Sequence, residues 1–377
     1  MSNSHLPLAV LIISALAALV VQNSACHRCP TTPQTAQMAS SGRIATDGMS
    51  GATAQVKKQL NAESFSISGL VRKPTTVKPA DLAKHPAVSV RFNDVHRDGT
   101  FHGIQVYEGV PLQALLEQAE IAKPKSLFDR LIDLAIVITN RAGEKVVLSW
   151  GEVFYRHSAD VLVAYTAVPK MPHKPCSSCH APSKYQARFD QLTRQIALPK
   201  LIVLNDHWSD RAIEGIASIE VKDLGKDVGI FLRKEDHPKK LISPDIRLSG
   251  PGIETVVLDD FSGFERLRAD LVQAGDGTGF HGIRHYEGVS LSEVLQKAGL
   301  KPDPSAAFLC SAPDGYRALL SSGEVFFSWP GSGVIVADAM NGQTIDDGGR
   351  FRIIPVKDLP ADRWLKSVSR IELVSIK

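Results

Sequence analysis

The sequence predicts an α+β fold, in which two tandem copies of one mixed α/β unit, at residues 64–222 and 243–377, follow an export signal and a flexible tether. Three observations predict it. The chain contains an internal duplication. Phe101-His102-Gly103-Ile104-Gln105-Val106-Tyr107-Glu108-Gly109-Val110 recurs as Phe280-His281-Gly282-Ile283-Arg284-His285-Tyr286-Glu287-Gly288-Val289, with eight of the ten positions identical. Short β-branched runs recur through both copies, and each copy also holds one amphipathic helical pattern. Many short strands with few helices argue for a mixed unit and against a doubly wound sheet.

Upstream of the shared motif, Ser66-Ile67-Ser68-Gly69 in copy one pairs with Ile246-Arg247-Leu248-Ser249-Gly250 in copy two. After each Glu-Gly-Val comes a predicted helix. Leu112, Leu115, Leu116 and Ala119 stand at helical spacing, and Leu291, Val294, Leu295 and Ala298 repeat it. Pro111 suits a first helical position, and Ser290 with Glu293 forms a capping-box pattern. Strands are predicted at Ala135–Thr139, Lys145–Leu148 and Val161–Ala164, with counterparts at Ala307–Cys310, Arg317–Leu320 and Val334–Ala337. Gly151-Glu152-Val153-Phe154 matches Gly323-Glu324-Val325-Phe326, and Ile219-Glu220-Val221 matches Ile371-Glu372-Leu373.

At 377 residues the chain is long enough for two or three domains with their own cores. Its net charge of +3 is too weak to suggest a nucleic-acid partner. Leu6–Val21 is an uncharged apolar run, short for a membrane span and suited to the core of an export signal over residues 1–25. Ser24-Ala25-Cys26 resembles the end of a bacterial lipoprotein signal, although Asn23 stands where that signal has Leu. The expectation is a periplasmic protein or one on the outer face of a bacterial membrane, held there by the N-terminal signal, by a lipid, or by neither. Residues 26–63 read as the tether and residues 223–242 as a polar linker.

Copy one is longer than copy two in one place. Ala164 to Asp206 spans 42 residues and Ala337 to Asp358 spans 21, so copy one carries an insertion, placed at about residues 165–197. Inside it lies Cys176-Ser177-Ser178-Cys179-His180, the c-type haem attachment pattern. The two thiols at this spacing reach the two vinyl groups of one haem, and His180 can ligate the iron as the proximal ligand. Cys176 and Cys179 are thus the predicted thioether residues. A redox or structural disulfide and half of a zinc site are the other readings of a Cys-x-x-Cys pair. Cys26-His27-Arg28-Cys29 is followed by Pro30 and is not a second haem site. The nearest candidates for a distal iron ligand are Met171 and His173, followed by His157, His207 and His102. His102 and His281 recur in both copies and read either as packing histidines or as pocket residues. Glu108 and Glu287 read as solvated or helix-N-terminal carboxylates.

Both copies resemble the sulfite-oxidase-type molybdopterin-binding domain. The resemblance rests on Tyr286-Glu287-Gly288-Val289-Ser290-Leu291, Asp314-Gly315-Tyr316, Gly349-Arg350-Phe351-Arg352-Ile353-Ile354-Pro355 and Trp364-Leu365-Lys366-Ser367-Val368 in copy two, and on Tyr107-Glu108-Gly109-Val110-Pro111-Leu112 in copy one. It implies a molybdopterin cofactor whose molybdenum takes one cysteine thiolate from the segment ahead of Tyr-x-Gly-Val. Here that segment reads Ser89-Val90-Arg91-Phe92-Asn93-Asp94 in copy one and Asp270-Leu271-Val272-Gln273-Ala274 in copy two, with no cysteine in either. A carboxylate does not replace a soft thiolate without changing the metal's electronics. Cys310, the one cysteine of copy two, reads as a core residue. The resulting expectation is an exported haem c electron-transfer protein or oxidoreductase that works with a redox partner protein. A molybdenum enzyme feeding its own haem and a haem-based ligand sensor are the alternatives.

Overall fold

The first copy begins with β1 (Phe65–Gly69) and β2 (Thr75–Val77), then β3 (Val88–Val95) and β4 (Phe101–Pro111). It continues through β5 (Leu134–Asn140), β6 (Lys145–Ser149), β7 (Val161–Pro169), β8 (Lys200–Val203) and β9 (Ile216–Asp223). The second copy holds β10 (Ile246–Ser249), β11 (Val256–Leu258), β12 (Leu267–Gly275), β13 (Gly279–Ser290), β14 (Ala306–Ser311) and β15 (Arg317–Ser321). It closes with β16 (Val334–Met340), β17 (Gln343–Thr344), β18 (Arg352–Pro355) and β19 (Arg370–Ser375). This computed structural model describes residues 58–124, 128–170, 194–225, 228, 232, 243–275, 279–346 and 349–376.

The α+β expectation is overturned, because the protein is mostly β. Among the described residues nineteen strands accompany short helices, the longest being the eight residues Leu112–Ala119. The sequence pattern supports two turns of helix per copy, too little to make a helical layer over a sheet. Nearly every other apolar run becomes a strand. The strands form four sheets: β2-β1-β9-β5-β6 and β3-β4-β7-β8 in copy one, then β11-β10-β19-β14-β15 and β12-β13-β16-β17, with β18 also on β16, in copy two.

The repeated motif falls on β4 and β13. In both strands the register slips at the same step, between Glu108 and Gly109 and between Glu287 and Gly288. A Cβ on Gly109 would lie 2.9 Å from the Val163 carbonyl oxygen, and one on Gly288 2.1 Å from that of Val336. Only glycine lets the neighbouring strand approach this closely. Each strand then enters its helix. Leu112, Leu115, Leu116 and Ala119 are buried in copy one, and Leu291, Val294 and Leu295 in copy two. The expected capping box at Ser290 does not form: its hydroxyl bonds the Ser292 hydroxyl at 2.7 Å. Pro111 is the N-cap of its helix, one position before the expected one. Capping boxes close the other pair of helices, Trp150–Phe154 and Ser322–Phe326, through Ser149 with Glu152 and Ser321 with Glu324.

These capping boxes lie where the two copies meet. Val147 donates its N–H to the Pro304 carbonyl at 2.8 Å, and Leu319 donates to Ile132 at 2.9 Å. Val137, Val147, Leu309 and Leu319 pack together there. Two buried arginines cross over. Arg363 of copy two donates to the Ser149 hydroxyl of copy one at 2.9 Å, and Arg211 of copy one donates to the Ser321 hydroxyl of copy two at 3.1 Å. Arg363 also grips Asp358 and Glu324, while Arg211 grips Asp206 and Glu152. A Cβ on Gly151 would lie 2.0 Å from the Arg363 guanidinium carbon, and one on Gly323 2.2 Å from that of Arg211. The repeated Gly-Glu-Val-Phe is therefore a seat for the other copy's arginine.

Candidate functional site

The predicted haem residues Cys176, Cys179 and His180, with Met171 and His173, lie outside the described residues. The strands on either side of them are described. Lys170, just after β7, donates its N–H to the Ile104 carbonyl on β4 at 2.8 Å. Arg194, where the chain is next described, reaches the Asp94 carboxylate at 3.6 Å. Both flanks thus stand against the β3–β4 hairpin, where two histidines, two carboxylates, a lysine and an arginine gather.

The hairpin builds this set locally. Asp94 is opposite Gly103 in the register, and the pairing becomes irregular at the next step. The chain turns through His96–Thr100, closed by the His96 N–H on the Thr100 carbonyl at 2.9 Å and by Thr100 N–H on Asp98 at 2.8 Å. Gly99 takes φ +86° in this turn, in the left-handed region that favours glycine. The turn folds His96 back beside His102 at the start of β4, with ring centroids 4.8 Å apart. His96 Nε2 lies 3.8 Å from Asp94 Oδ1, and His102 Nδ1 lies 3.8 Å from Asp94 Oδ2.

β8 supplies the countercharge from beneath. Lys200 is buried and donates to Asp94 Oδ2 at 2.5 Å and to Glu214 at 3.2 Å. Glu214 also takes both terminal nitrogens of Arg194 and the Ala197 N–H. Burial would raise the Glu214 pKa, but Arg194 and Lys200 outweigh it and hold the carboxyl down to about 2. Two carboxylates and two cations therefore sum to no net charge. Tyr107 packs below with its hydroxyl buried, and burial raises its pKa with a smaller push from Asp94. His102 is shifted down, first by burial and then by Arg194, His96 and Lys200, against the opposing pull of Asp94. Asp94 Oδ1 is buried and has no hydrogen-bond partner among the described residues.

Other histidines from the sequence reading stand apart from this cluster. His157 is exposed beside a short 3-10 turn. His207 donates its N–H to the Phe327 carbonyl at 2.7 Å and packs edge-on to Trp208 and Trp329. His281, the copy-two counterpart of His102, is exposed and bonds the Gly275 carbonyl at 3.1 Å. Glu108 is paired with Lys58, and Glu287 lies 3.4 Å from Arg268. His96, Lys200, Arg194 and Glu214 escaped the sequence reading. The repeated His102 was the available signal, and a second histidine six residues earlier was there to be read with it.

No described residue offers molybdenum the cysteine thiolate that the resemblance implies. Cys310, the one cysteine among them, lies on β14 in the core of copy two, fully buried, and burial raises its thiol pKa. It offers neither a thiolate nor an open face to a metal.

No family model matches the chain, and no curated protein matches it. Among solved structures the chain is similar to the sulfane dehydrogenase SoxCD from Paracoccus pantotrophus, at 12% identity and a TM-score of 0.30, covering 85% of this chain and 79% of that one.

Proposed function

We propose that the protein is an exported oxidoreductase component that carries one covalent haem c and exchanges electrons with a partner protein. The observation that carries this reading is the intact Cys176-Ser177-Ser178-Cys179-His180 motif, set in the segment that copy one has and copy two lacks. Each thiol adds across one haem vinyl group: a C–S bond forms and the thiol proton passes to the other vinyl carbon, with no net redox change. His180 would hold the iron, with Met171 or His173 as a second ligand, and a haem so held would supply one-electron transfer. So short an insertion cannot enclose a haem, and an exposed haem edge suits exchange with a docked protein. The apolar run Leu6–Val21 supports export to the periplasm or the outer face of a membrane.

The test is covalent haem staining of the full chain matured in a host competent for c-type haem attachment. The wild-type band stains and the Cys176→Ala, Cys179→Ala variant does not. Staining that persists in the variant overturns the reading.

A further inference from the structure

We propose that Asp94, His96 and His102 form a binding site for a first-row divalent transition metal ion, separate from the haem motif. Three observations carry it. One ligand atom from each residue lies within 4.8 Å of the other two. Two imidazoles and one carboxylate are the donor types that suit zinc, copper and iron. Asp94 Oδ1 is buried with no hydrogen-bond partner among the described residues, and it faces His96 Nε2 at 3.8 Å. A buried carboxylate oxygen without a donor carries a desolvation cost that a metal bond would remove.

The neighbours divide the labour on the carboxylate. Lys200 occupies Oδ2 and leaves Oδ1 for the ion. Arg194 and Lys200 are offset by Glu214 and Asp94, so an arriving dication meets no net positive charge. A tetrahedral ion with bonds of about 2.0–2.1 Å holds its ligand atoms about 3.3 Å apart. The His96 Nε2–Asp94 Oδ1 spacing of 3.8 Å needs only a small closure, and one ligand atom of His102 lies within 4.8 Å of the other two. The imidazole side chains, 32% and 34% exposed, are free to turn inward. Three protein donors leave at least one position open to water or a small ligand, the arrangement of a reactive centre and not of a closed structural one. Cu2+ heads the affinity order for such donors, and Zn2+ suits them in tetrahedral geometry.

The experiment is equilibrium dialysis of the full chain against Zn2+, with Cu2+ electron paramagnetic resonance as the second readout. The wild type is expected to bind one more ion than the His96→Ala, His102→Ala variant. Either single variant should weaken that site by more than about a hundredfold, beyond the 10–100-fold that loss of an outer partner costs. The Cu2+ spectrum should show coupling to two imidazole nitrogens, reduced to one in each single variant. His281→Ala should leave both readouts unchanged. The measurement is repeated in the Cys176→Ala, Cys179→Ala background, and the site should persist there whether or not the haem assignment stands. Equal stoichiometry in wild type and double histidine variant, or binding that disappears with the cysteines alone, overturns the proposal.

Discussion

Removing the Arg363 guanidinium should cost the protein a large share of its stability. Arg363 is fully buried and donates to Asp358 through Nε at 2.6 Å and Nη2 at 2.7 Å. It donates to Glu324 from both terminal nitrogens at 3.0 Å, to the Ser149 hydroxyl at 2.9 Å and to the Leu319 carbonyl at 3.0 Å. Burial works against the charged guanidinium, but Asp358 and Glu324 outweigh it and raise its pKa well above the ordinary value. Arg363→Met leaves those two carboxylates buried. Deleting one partner of a buried ion pair costs about 3–5 kcal/mol, because the other charge loses its compensation. Arg156, 2.6 Å from Glu324 and 3.5 Å from Asp358, offsets part of this and favours the lower end. A loss of about 3 kcal/mol is a large part of a typical stability of roughly 5–15 kcal/mol. At about 2–4 °C per kcal/mol it lowers the Tm by about 6–12 °C. The assay is urea unfolding followed by circular dichroism, with Asp358→Asn and the double variant completing a cycle. The double variant should recover about 0.5–3 kcal/mol relative to additivity, since one of the two stranded carboxylates is gone. A loss below about 1 kcal/mol for Arg363→Met, in the range of surface substitutions, would refute the reasoning.

Gly151→Ala and Gly323→Ala should each lower the urea midpoint by an overpacking cost of about 1–3 kcal/mol, because the new methyl meets a buried guanidinium. Acid should weaken the fold as pH falls from about 4.5 towards 2. Arg363 and Arg156 overcome burial to hold Glu324 at about 2, so its stabilisation is complete above the ordinary carboxylate range and fades below it. Glu214→Gln should flatten part of the same limb, read as urea midpoint against pH. Replacing Met171 and His173 separately should change the haem absorption spectrum in one of the two variants.

The sequence made some of this legible because a repeat displays its constraints twice. Gly109 and Gly288 were visible as a shared Glu-Gly-Val, and the structure supplies the reason in the strand that crowds each of them. The helix after that motif could be read from four apolar residues at helical spacing. The short strands were legible, but the one helical pattern in each copy was given the weight of a layer, and the described helices are too short to form one. The crossed arginines were in plain sight as Asp206 with Arg211 and Asp358 with Arg363, each pair five residues apart. Their purpose was hidden, because it depends on one copy lying against the other. Asp94 and Lys200 could not have been joined from sequence, since 106 residues separate the two ends of that ion pair.

The strand registers indicate where the two copies part in function. Asn93 and Val95 pair with Ile104 and Phe101 in copy one, and Val272 and Ala274 pair with Ile283 and Phe280 in copy two. The intervening residue is Asp94 in the first and Gln273 in the second, and the position of His96 is taken by Gly275. On the facing strand Ala164 pairs with Lys200 and Ala337 with Arg352, so Arg352 is the counterpart of Lys200. Arg352 bonds the Tyr286 hydroxyl at 3.2 Å, and Lys200 bonds Asp94 at 2.5 Å. Copy two therefore keeps the sheet, the tyrosine, a cation and one histidine, and lacks the carboxylate and the second histidine. Those losses, together with the segment between β7 and β8, concentrate the differences at one edge of copy one. Copy two braces copy one by seating Arg211 and by sending Arg363 into the capping box of copy one.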